Sequence, residues 1–333
     1  MNAAAEEAPA AAQPAPAVAD DAPKPPPLLP WGDKPEAVKR GTPGATSAQL
    51  AATGADIAPA STKPSAVPTP EYGPKGFTGK KRWLRKGRTA VPPKPPQVGG
   101  GPLRAPEPGT RDVNYHYATG YQYAVADGTS ANLVIGKPYL AAEDYHTLAE
   151  VAVEDADGQQ IIEVGWTVSR NVNGDEDPHL FVYHWVDGVG TCYNGCGWKQ
   201  VSTDVVPGDT LPTGVYKKFG IQQFDSVWWV AYDSEWIGYF PNGLWRGKFQ
   251  KSGLIQWYGE VASSKVAPCT DMGNGTDASK DSAARFSSIS LVNNPDLKVT
   301  LESKSPEMPP GKGIYPTVFA KERAFYFGGA GAC

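Results

Sequence analysis

The chain has 333 residues, with 31 Lys and Arg against 35 Asp and Glu, which is long enough for one or two domains. No apolar run approaches the roughly 20 residues that a membrane-spanning helix needs, so we expect no membrane span. Composition divides the chain near residue 112. Residues 1–112 contain 22 of the 33 prolines and carry 15 Lys and Arg against 10 Asp and Glu, whereas residues 113–333 carry 16 against 25.

The basic leader, residues 1–112, has too few aromatic and β-branched residues to offset the entropy lost on ordering. We therefore predict a Pro/Ala-rich and largely disordered segment. Its residues 79–88 form a basic cluster, GKKRWLRKGR. This cluster is typical of a solvated linker, of a nucleic-acid-binding segment, or of a pro-segment that inhibits the acidic domain and is cut nearby. We expect no nucleic-acid partner, because the acidic remainder of the chain repels phosphate. The linker and pro-segment interpretations of the basic cluster both remain as alternatives.

From residue 115 onward, short β-branched and aromatic runs alternate with Asp-Gly, Asn-Gly and Pro-Gly turn signals. This rhythm predicts an all-β fold for residues 113–333, a bent antiparallel sandwich of two packed sheets. Only residues 248–252 indicate a helical turn. The predicted strands cover residues 115–124, 130–135, 147–153, 161–168, 180–186, 198–201, 215–224, 227–232, 237–240, 253–261, 286–291 and 324–327.

Two of these strands carry a glutamate opposite an apolar face. In residues 161–168, IIEVGWTV, alternation gives the core Ile162, Val164, Trp166 and Val168 and leaves Glu163 on the other face. In residues 255–261, IQWYGEV, Glu260 occupies the equivalent place. Each glutamate has a glycine nearby, which we expect to open space, and we hypothesise that the two glutamates work as a pair.

A third strand has two more acidic residues. Alternation puts Glu150, Ala152 and Glu154 on one face of the strand predicted at residues 147–153 and of the residue that follows it. This pattern is typical of an ordinary solvent-facing strand, so we predict that these two glutamates have no functional role.

All four cysteines lie in the acidic part of the chain. Their even number, with Cys192 and Cys196 in one turn, predicts Cys192–Cys196 and Cys269–Cys333 disulfides and an oxidising compartment. The alternative is a zinc site, but the sequence lacks a second close pair and matching histidines. The N-terminus shows no signal peptide, so we expect that export of this protein relies on a segment absent from this sequence.

Ten stretches together resemble the neprosin family of glutamic endopeptidases, over roughly residues 115–333 and in order. They are residues 146–150, 162–168, 173–175, 179–183, 192–198, 228–230, 237–241, 255–261, 270–275 and 325–329. The resemblance implies a bent β-sandwich with two catalytic glutamates facing each other across a cleft, which correspond to Glu163 and Glu260. It also implies secretion, a zymogen, acidic working pH and cleavage after proline. Tyr258 stands where plant members often have glycine.

Two carboxyl groups beside one water can supply both the base and the acid for peptide hydrolysis, provided that their pKa values differ. We assign Glu163 as the base and Glu260 as the acid. Residues expected to bind the water, the oxyanion or the substrate are Gln200, Gln222, Gln256, Tyr258 and Trp166. We expect no metal or cofactor, because the four histidines lack a nucleophile or a third ligand.

The sequence thus predicts a secreted, monomeric glutamic endopeptidase with protein or peptide substrates and its own N-terminal segment as inhibitor. Two alternatives fit the same residues. Paired carboxylates in an aromatic-lined cleft also suit a β-sandwich glycoside hydrolase. The same face also suits a non-catalytic carbohydrate-binding or adhesion module.

Overall fold

A computed structural model describes residues 22–61, 73–75, 113–309 and 311–333. Within these ranges the chain forms fifteen β-strands, two short α-helices and one 3-10 turn. The helices are α1 (Ser47–Thr53) and α2 (Arg170–Asn173), and the 3-10 turn covers Asn242–Trp245. The strands are β1 (Asn114–Tyr123), β2 (Gly128–Val134), β3 (His146–Glu154), β4 (Ile161–Val168), β5 (His179–Val186), β6 (Val189–Gly190), β7 (Lys199–Gln200), β8 (Tyr216–Phe224), β9 (Val227–Tyr232), β10 (Glu235–Pro241), β11 (Leu254–Ser263), β12 (Arg285–Val292), β13 (Thr300–Lys304), β14 (Thr317–Lys321) and β15 (Ala324–Phe327).

The strands form two packed antiparallel sheets, which confirms the predicted β-sandwich. The first has seven strands in the order β13-β1-β11-β3-β4-β5-β6, and the second has eight in the order β14-β15-β12-β2-β8-β9-β10-β7. Strands β1 and β11 pair over ten residues although more than 120 residues separate them in the chain. Long-range pairing of this kind cannot be read from local sequence, because periodicity gives a strand's faces but not its neighbours.

One apolar core fills the space between the sheets. Trp166, Val164 and Trp257 from the seven-stranded sheet meet Phe219 and Trp228 from the eight-stranded sheet. The alternation in β4 and β11 is therefore confirmed, since the residues predicted to face the core do so. The predicted bounds of β4, β9 and β15 also match those observed.

The sequence missed three short strands, β6, β13 and β14, all at or near sheet edges. The helical turn predicted at residues 248–252 is wrong. The turn lies earlier, at Asn242–Trp245, where Arg246 ends it in the left-handed conformation at φ 52°.

Residues 22–61 of the leader have a defined structure, which composition alone did not predict. Helix α1 has a capping box between Thr46 and Gln49 and ends at Gly54. Upstream of it, Leu29 packs with Trp229 and Trp236 on the outer face of the eight-stranded sheet. Lys217 forms ion pairs with Asp56 and Asp233. The leader thus finds apolar partners on the folded domain, and Leu50, Ala55 and Ala58 form a small cluster within the leader itself.

Both predicted disulfides form, Cys192–Cys196 and Cys269–Cys333. With all four cysteines bonded to each other, none is left as a zinc ligand. In the part of the chain that the structure covers, no helix is long and apolar enough to cross a membrane.

Candidate active site

Glu163 and Glu260 lie on the same sheet and on the same face of it. Strand β3 separates their strands, because β11 pairs with β3 and β3 pairs with β4. Glu163 is level with Ala152 and Gln256, and Glu260 is four residues further along β11. Their backbones are separated by two strand spacings, about 10 Å, across the sheet and by four residues, about 13 Å, along it. Both glutamates are on the outer face of the seven-stranded sheet, opposite the core, as alternation predicted.

This outer face is buried although it faces away from the second sheet. A separate cluster on this face includes Tyr117, Phe181, Tyr183 and Tyr258, from strands β1, β5 and β11 of the same sheet. The loop closed by the Cys192–Cys196 bond contributes Tyr193, whose ring lies 5.2 Å from that of Tyr183. The aromatic rings and this loop exclude water from the glutamates, so that charge interactions there are strong.

Glu163 is fully buried. Its Oε1 accepts a hydrogen bond from Nε1 of Trp185 at 3.1 Å. Among the described residues, Oε2 has no hydrogen-bond partner. Burial raises the pKa of Glu163 to about 8; Lys75 and Trp185 oppose this shift, and Glu260 and Glu154 add to it. Glu163 therefore carries a proton at neutral and acidic pH.

Glu260 has a different environment, rich in hydrogen bonds. Its Oε1 lies 2.7 Å from Nε2 of His146, and its Oε2 accepts the backbone N–H of Lys75 at 2.6 Å. The hydroxyl of Tyr117 bonds to the same carboxylate, and burial, then Glu260, raises the pKa of that tyrosine well above its usual value. These contacts fix the orientation of the Glu260 carboxyl group.

Glu150 and Glu154 lie on the same buried face, and the predicted solvent-facing strand is wrong. Both are almost completely buried, at 0% and 2% exposure. Burial first, and then the charges of Glu163 and Glu260, raise the pKa of Glu150 well above its usual value. Neither carboxyl oxygen of Glu150 has a hydrogen-bond partner of good geometry within the described ranges. Four buried glutamates therefore share one face.

The cation that faces these glutamates comes from the leader. Lys75 is 5% exposed. Its ammonium forms an ion pair with Glu154, donates to Oε1 of Gln256 at 2.7 Å and lies 5.4 Å from the ring centre of Tyr258. The backbone N–H of the same residue reaches Glu260. One leader residue thus contacts both ends of the acidic face.

The five expected binding residues divide into two groups. Gln256 and Tyr258 are on the glutamate face of β11, beside Lys75. Gln200, Gln222 and Trp166 are not, and these assignments are wrong. Gln200 is on the edge strand β7 of the other sheet, and Gln222 is on β8 of that sheet. Trp166 faces the core, where its Nε1 donates to the carbonyl oxygen of Val134 at 2.9 Å.

Neither of the two glycines expected to open space does so, because neighbouring atoms fill the position of each missing side chain. A Cβ on Gly165 would lie 2.1 Å from the carbonyl oxygen of Ala149 and 2.7 Å from Cβ of Glu150, so a missing side chain here lets β4 approach β3. Gly259 faces the core instead, where a Cβ would meet the ring of Phe327 at 2.7 Å. Only Gly165 belongs to the glutamate face.

Sequence reasoning missed His146, Trp185, Glu150, Glu154 and Lys75. One signal was available for three of them: His146, Glu150 and Glu154 are at even spacings in the strand 146–154, so they share a face. Nothing local indicates that this strand lies between β4 and β11. In the described part of the chain, no three His, Cys, Asp or Glu side chains are arranged to hold a metal ion.

A sequence profile described as Neprosin matches residues 143–330. Comparison with curated protein sequences gives no significant match. Among solved structures, scytalido-glutamic peptidase with a transition state analog inhibitor is 9% identical, with a TM-score of 0.40, and covers 66% of this chain and 100% of its own. SCP-B, a member of the Eqolisin family of peptidases in complex with the tripeptide Ala-Ile-His, is 9% identical, with a TM-score of 0.37. The match covers 66% of this chain and 100% of SCP-B. A Bacillus licheniformis β-glucanase is 11% identical, with a TM-score of 0.28, and the match covers 43% of this chain and 56% of the glucanase.

Proposed function

Because this chain belongs to the neprosin family, we propose that it is a glutamic endopeptidase in which Glu163 and Glu260 hydrolyse peptide bonds. One observation carries the proposal. The carboxylate of Glu260 accepts a peptide N–H, that of Lys75, at 2.6 Å, while the proton-holding Glu163 lies on the same buried face. The Pro74–Lys75 peptide bond thus contacts Glu260 through its N–H group, on the face that also carries Glu163.

The environments of the two glutamates favour roles opposite to those expected from the sequence. Glu163, with a pKa of about 8, holds its proton and is suited to donate a hydrogen bond to the oxyanion. Glu260, which has three hydrogen-bonding neighbours, is suited to be the base. The sequence-based assignment of Glu163 as the base is not favoured because burial raises the pKa of Glu163, and a strand pattern does not reveal burial.

In the proposed reaction a water molecule between the glutamates gives a proton to Glu260 as its oxygen bonds to the carbonyl carbon. Glu163 donates a hydrogen bond to the oxygen that becomes negative. The proton on Glu260 then passes to the amide nitrogen, and the C–N bond breaks to give a carboxylic acid and an amine. Each positioned acid or base of this kind contributes about 10²–10⁴ in rate.

We further propose that the protein is made as an inactive zymogen, with the leader as inhibitor. Lys75 occupies the glutamate face and supports this role. The basic cluster at residues 79–88, expected near the activation cleavage, lies outside the described residues. Acidic working pH keeps Glu163 in the protonated form that donates a hydrogen bond to the oxyanion. Secretion fits the two disulfides.

A preference for cleavage after proline belongs to the same proposal. The amide nitrogen that contacts Glu260 is that of the bond between Pro74 and Lys75. The leader thus presents a proline on the carbonyl side of the bond that lies against the catalytic carboxylate. The domain boundary near residue 112 follows from the same scheme, in which residues 113–333 form the enzyme.

The test is hydrolysis of a denatured protein at about pH 3–5, with soluble polysaccharides as parallel substrates. We expect proteolysis and no sugar release. Glu260→Gln should lose at least about 10³ in kcat, because the base is lost. Glu163→Gln should retain activity within about 10–100-fold, because its amide still donates a hydrogen bond. Glu143→Gln, on the exposed surface, is the control. Full activity of Glu260→Gln, or release of sugars alone, would refute the proposal.

A further inference from the structure

The ammonium of Lys75 is bound in a pocket that the proposed hydrolysis does not require. We name the side chains of Glu154, Gln256 and Tyr258 the cation pocket. Glu154 and Gln256 are 2% and 3% exposed, and both contact the ammonium directly. The Tyr258 ring supplies a third, cation–π contact at 5.4 Å. An ion pair, an amide oxygen and an aromatic face are the complete set of partners that a buried lysine needs.

When the leader dissociates, binding of another basic side chain in the cation pocket is favourable. Glu154 is buried, and a buried carboxylate that loses its ion-pair partner is costly. Removing Lys75 takes that partner away from Glu154. An incoming basic side chain restores the lost contacts, whereas an apolar one does not.

The position of the pocket relative to the reacting bond follows from the same residue. Lys75 places its own amide nitrogen on Oε2 of Glu260 while its ammonium lies on Glu154. Under the proposed function, Glu260 delivers a proton to the amide nitrogen of the bond that breaks. A lysine held as Lys75 is held therefore becomes the first residue after the cleaved bond.

We propose that the cation pocket is a substrate subsite, which selects peptides with lysine immediately after the scissile bond. This inference rests on the proposed function for the position of the cut, but the cation-binding role of Glu154 stands on the observed contacts. A small cavity lined by Thr119, Gln256 and Glu302 adjoins Lys75 at this end of the sheet.

The first test uses matched synthetic peptides that differ only in the residue after the cut: lysine, arginine, norleucine or glutamate. Full-length protein is incubated at acidic pH and assayed with each peptide. We expect kcat/KM for lysine to exceed that for norleucine by about tenfold or more, because an unpaired buried polar group strongly penalises the wrong substrate. In Glu154→Gln, kcat/KM for the lysine peptide should be within about threefold of kcat/KM for the norleucine peptide. Glu143→Gln, an exposed acidic residue, should leave the native ratio of these two values unchanged.

Two results separate this inference from the proposed function. If the native protein cleaves peptides without favouring lysine, or avoids it, the subsite is refuted and the peptidase proposal stands. The same holds if Glu154→Gln keeps the native preference. If no peptide is cleaved, the peptidase proposal fails and the cut position falls with it.

A second measurement tests the pocket without relying on activity. In the full-length chain, Lys75→Met is made alone and together with Glu154→Gln, and Tm is measured at neutral pH. If Glu154 binds the ammonium, Lys75→Met lowers Tm by several degrees in the native background and by much less in the Glu154→Gln background. Equal shifts in both backgrounds would show that the pocket does not bind the lysine and would overturn the inference.

Discussion

The indole N–H of Trp185 donates to Oε1 of Glu163 at 3.1 Å, across the pairing of β4 with β5. This hydrogen bond holds one oxygen of the glutamate in place. Among the residues that the structure describes, the second oxygen has no partner. The free oxygen is therefore the one available to carry the proton and to contact a substrate. Trp185 is a positioning residue for Glu163, and the state of this carboxyl group governs the first prediction.

We expect Glu163 to make the protein less stable as pH rises. The pKa of its carboxyl group is about 8 in the folded chain, against an ordinary value of 4.5. Below pH 4.5 both the folded and the unfolded chain hold the proton. Between the two pKa values only the folded chain holds the proton. Each unit of pH increase in this range therefore lowers the free energy of unfolding by on the order of 1 kcal/mol. The loss is complete once pH passes the folded pKa.

Glu163→Gln removes this titration. The drop in Tm between pH 5 and pH 8 should shrink by several degrees in the variant relative to the native protein. Glu322→Gln, an exposed residue in the turn before β15, is the matched control and should keep the native slope. A Glu163→Gln curve parallel to the native one would mean that the proton is not held on Glu163.

His146 is expected to position Glu260. Its Nε2 lies 2.7 Å from Oε1 of that glutamate, and both side chains are fully buried. His146→Ala should lower kcat by about 10–100-fold with a smaller change in KM, because the base loses its orientation. His146→Gln places an amide nitrogen near the position of Nε2 and should recover part of the loss. If both variants show the same kcat and only reduced Tm, the contact is structural.

Lys75 is expected to delay activation. Lys75→Met removes the ion pair with Glu154 and leaves the backbone N–H on Glu260. Losing one member of a buried pair weakens docking of the leader, so the lag before proteolysis after acidification should shorten by at least about tenfold. Lys24→Met, an exposed leader residue, should leave the lag unchanged. A full-length Lys75→Met protein with the native lag would contradict the inhibitory role.

Gly165 is expected to be irreplaceable where β4 meets β3. Gly165→Ala would place a Cβ 2.1 Å from the carbonyl oxygen of Ala149 and close to Glu150. Neither group can move away easily, because both belong to a paired central strand, so we expect a loss of about 3 kcal/mol or more. Gly243→Ala is the control, since its Cβ would meet nothing within 4 Å. Unfolding in urea measures both, and equal midpoints would contradict the close approach.

Much of the fold could be predicted because local pattern determines it. Alternation in residues 161–168 gave the bounds of β4 and correctly divided its faces. The same rule placed Glu260 opposite the core side of β11. It failed for Glu150 and Glu154, because alternation assigns a face and does not tell whether another layer covers that face. Gln200 and Gln222 were expected in the site but belong to the other sheet, because local sequence does not assign a strand to a sheet.

The sequence by itself determined most of the longer strands and which of their residues face the core. These properties depend on short-range periodicity. Only the tertiary structure decided that β3 lies between β4 and β11, that aromatic rings desolvate the glutamates, and that Lys75 reaches them from the leader. Strand order and burial arise from contacts between residues far apart in the chain, and those contacts set the protonation state of Glu163.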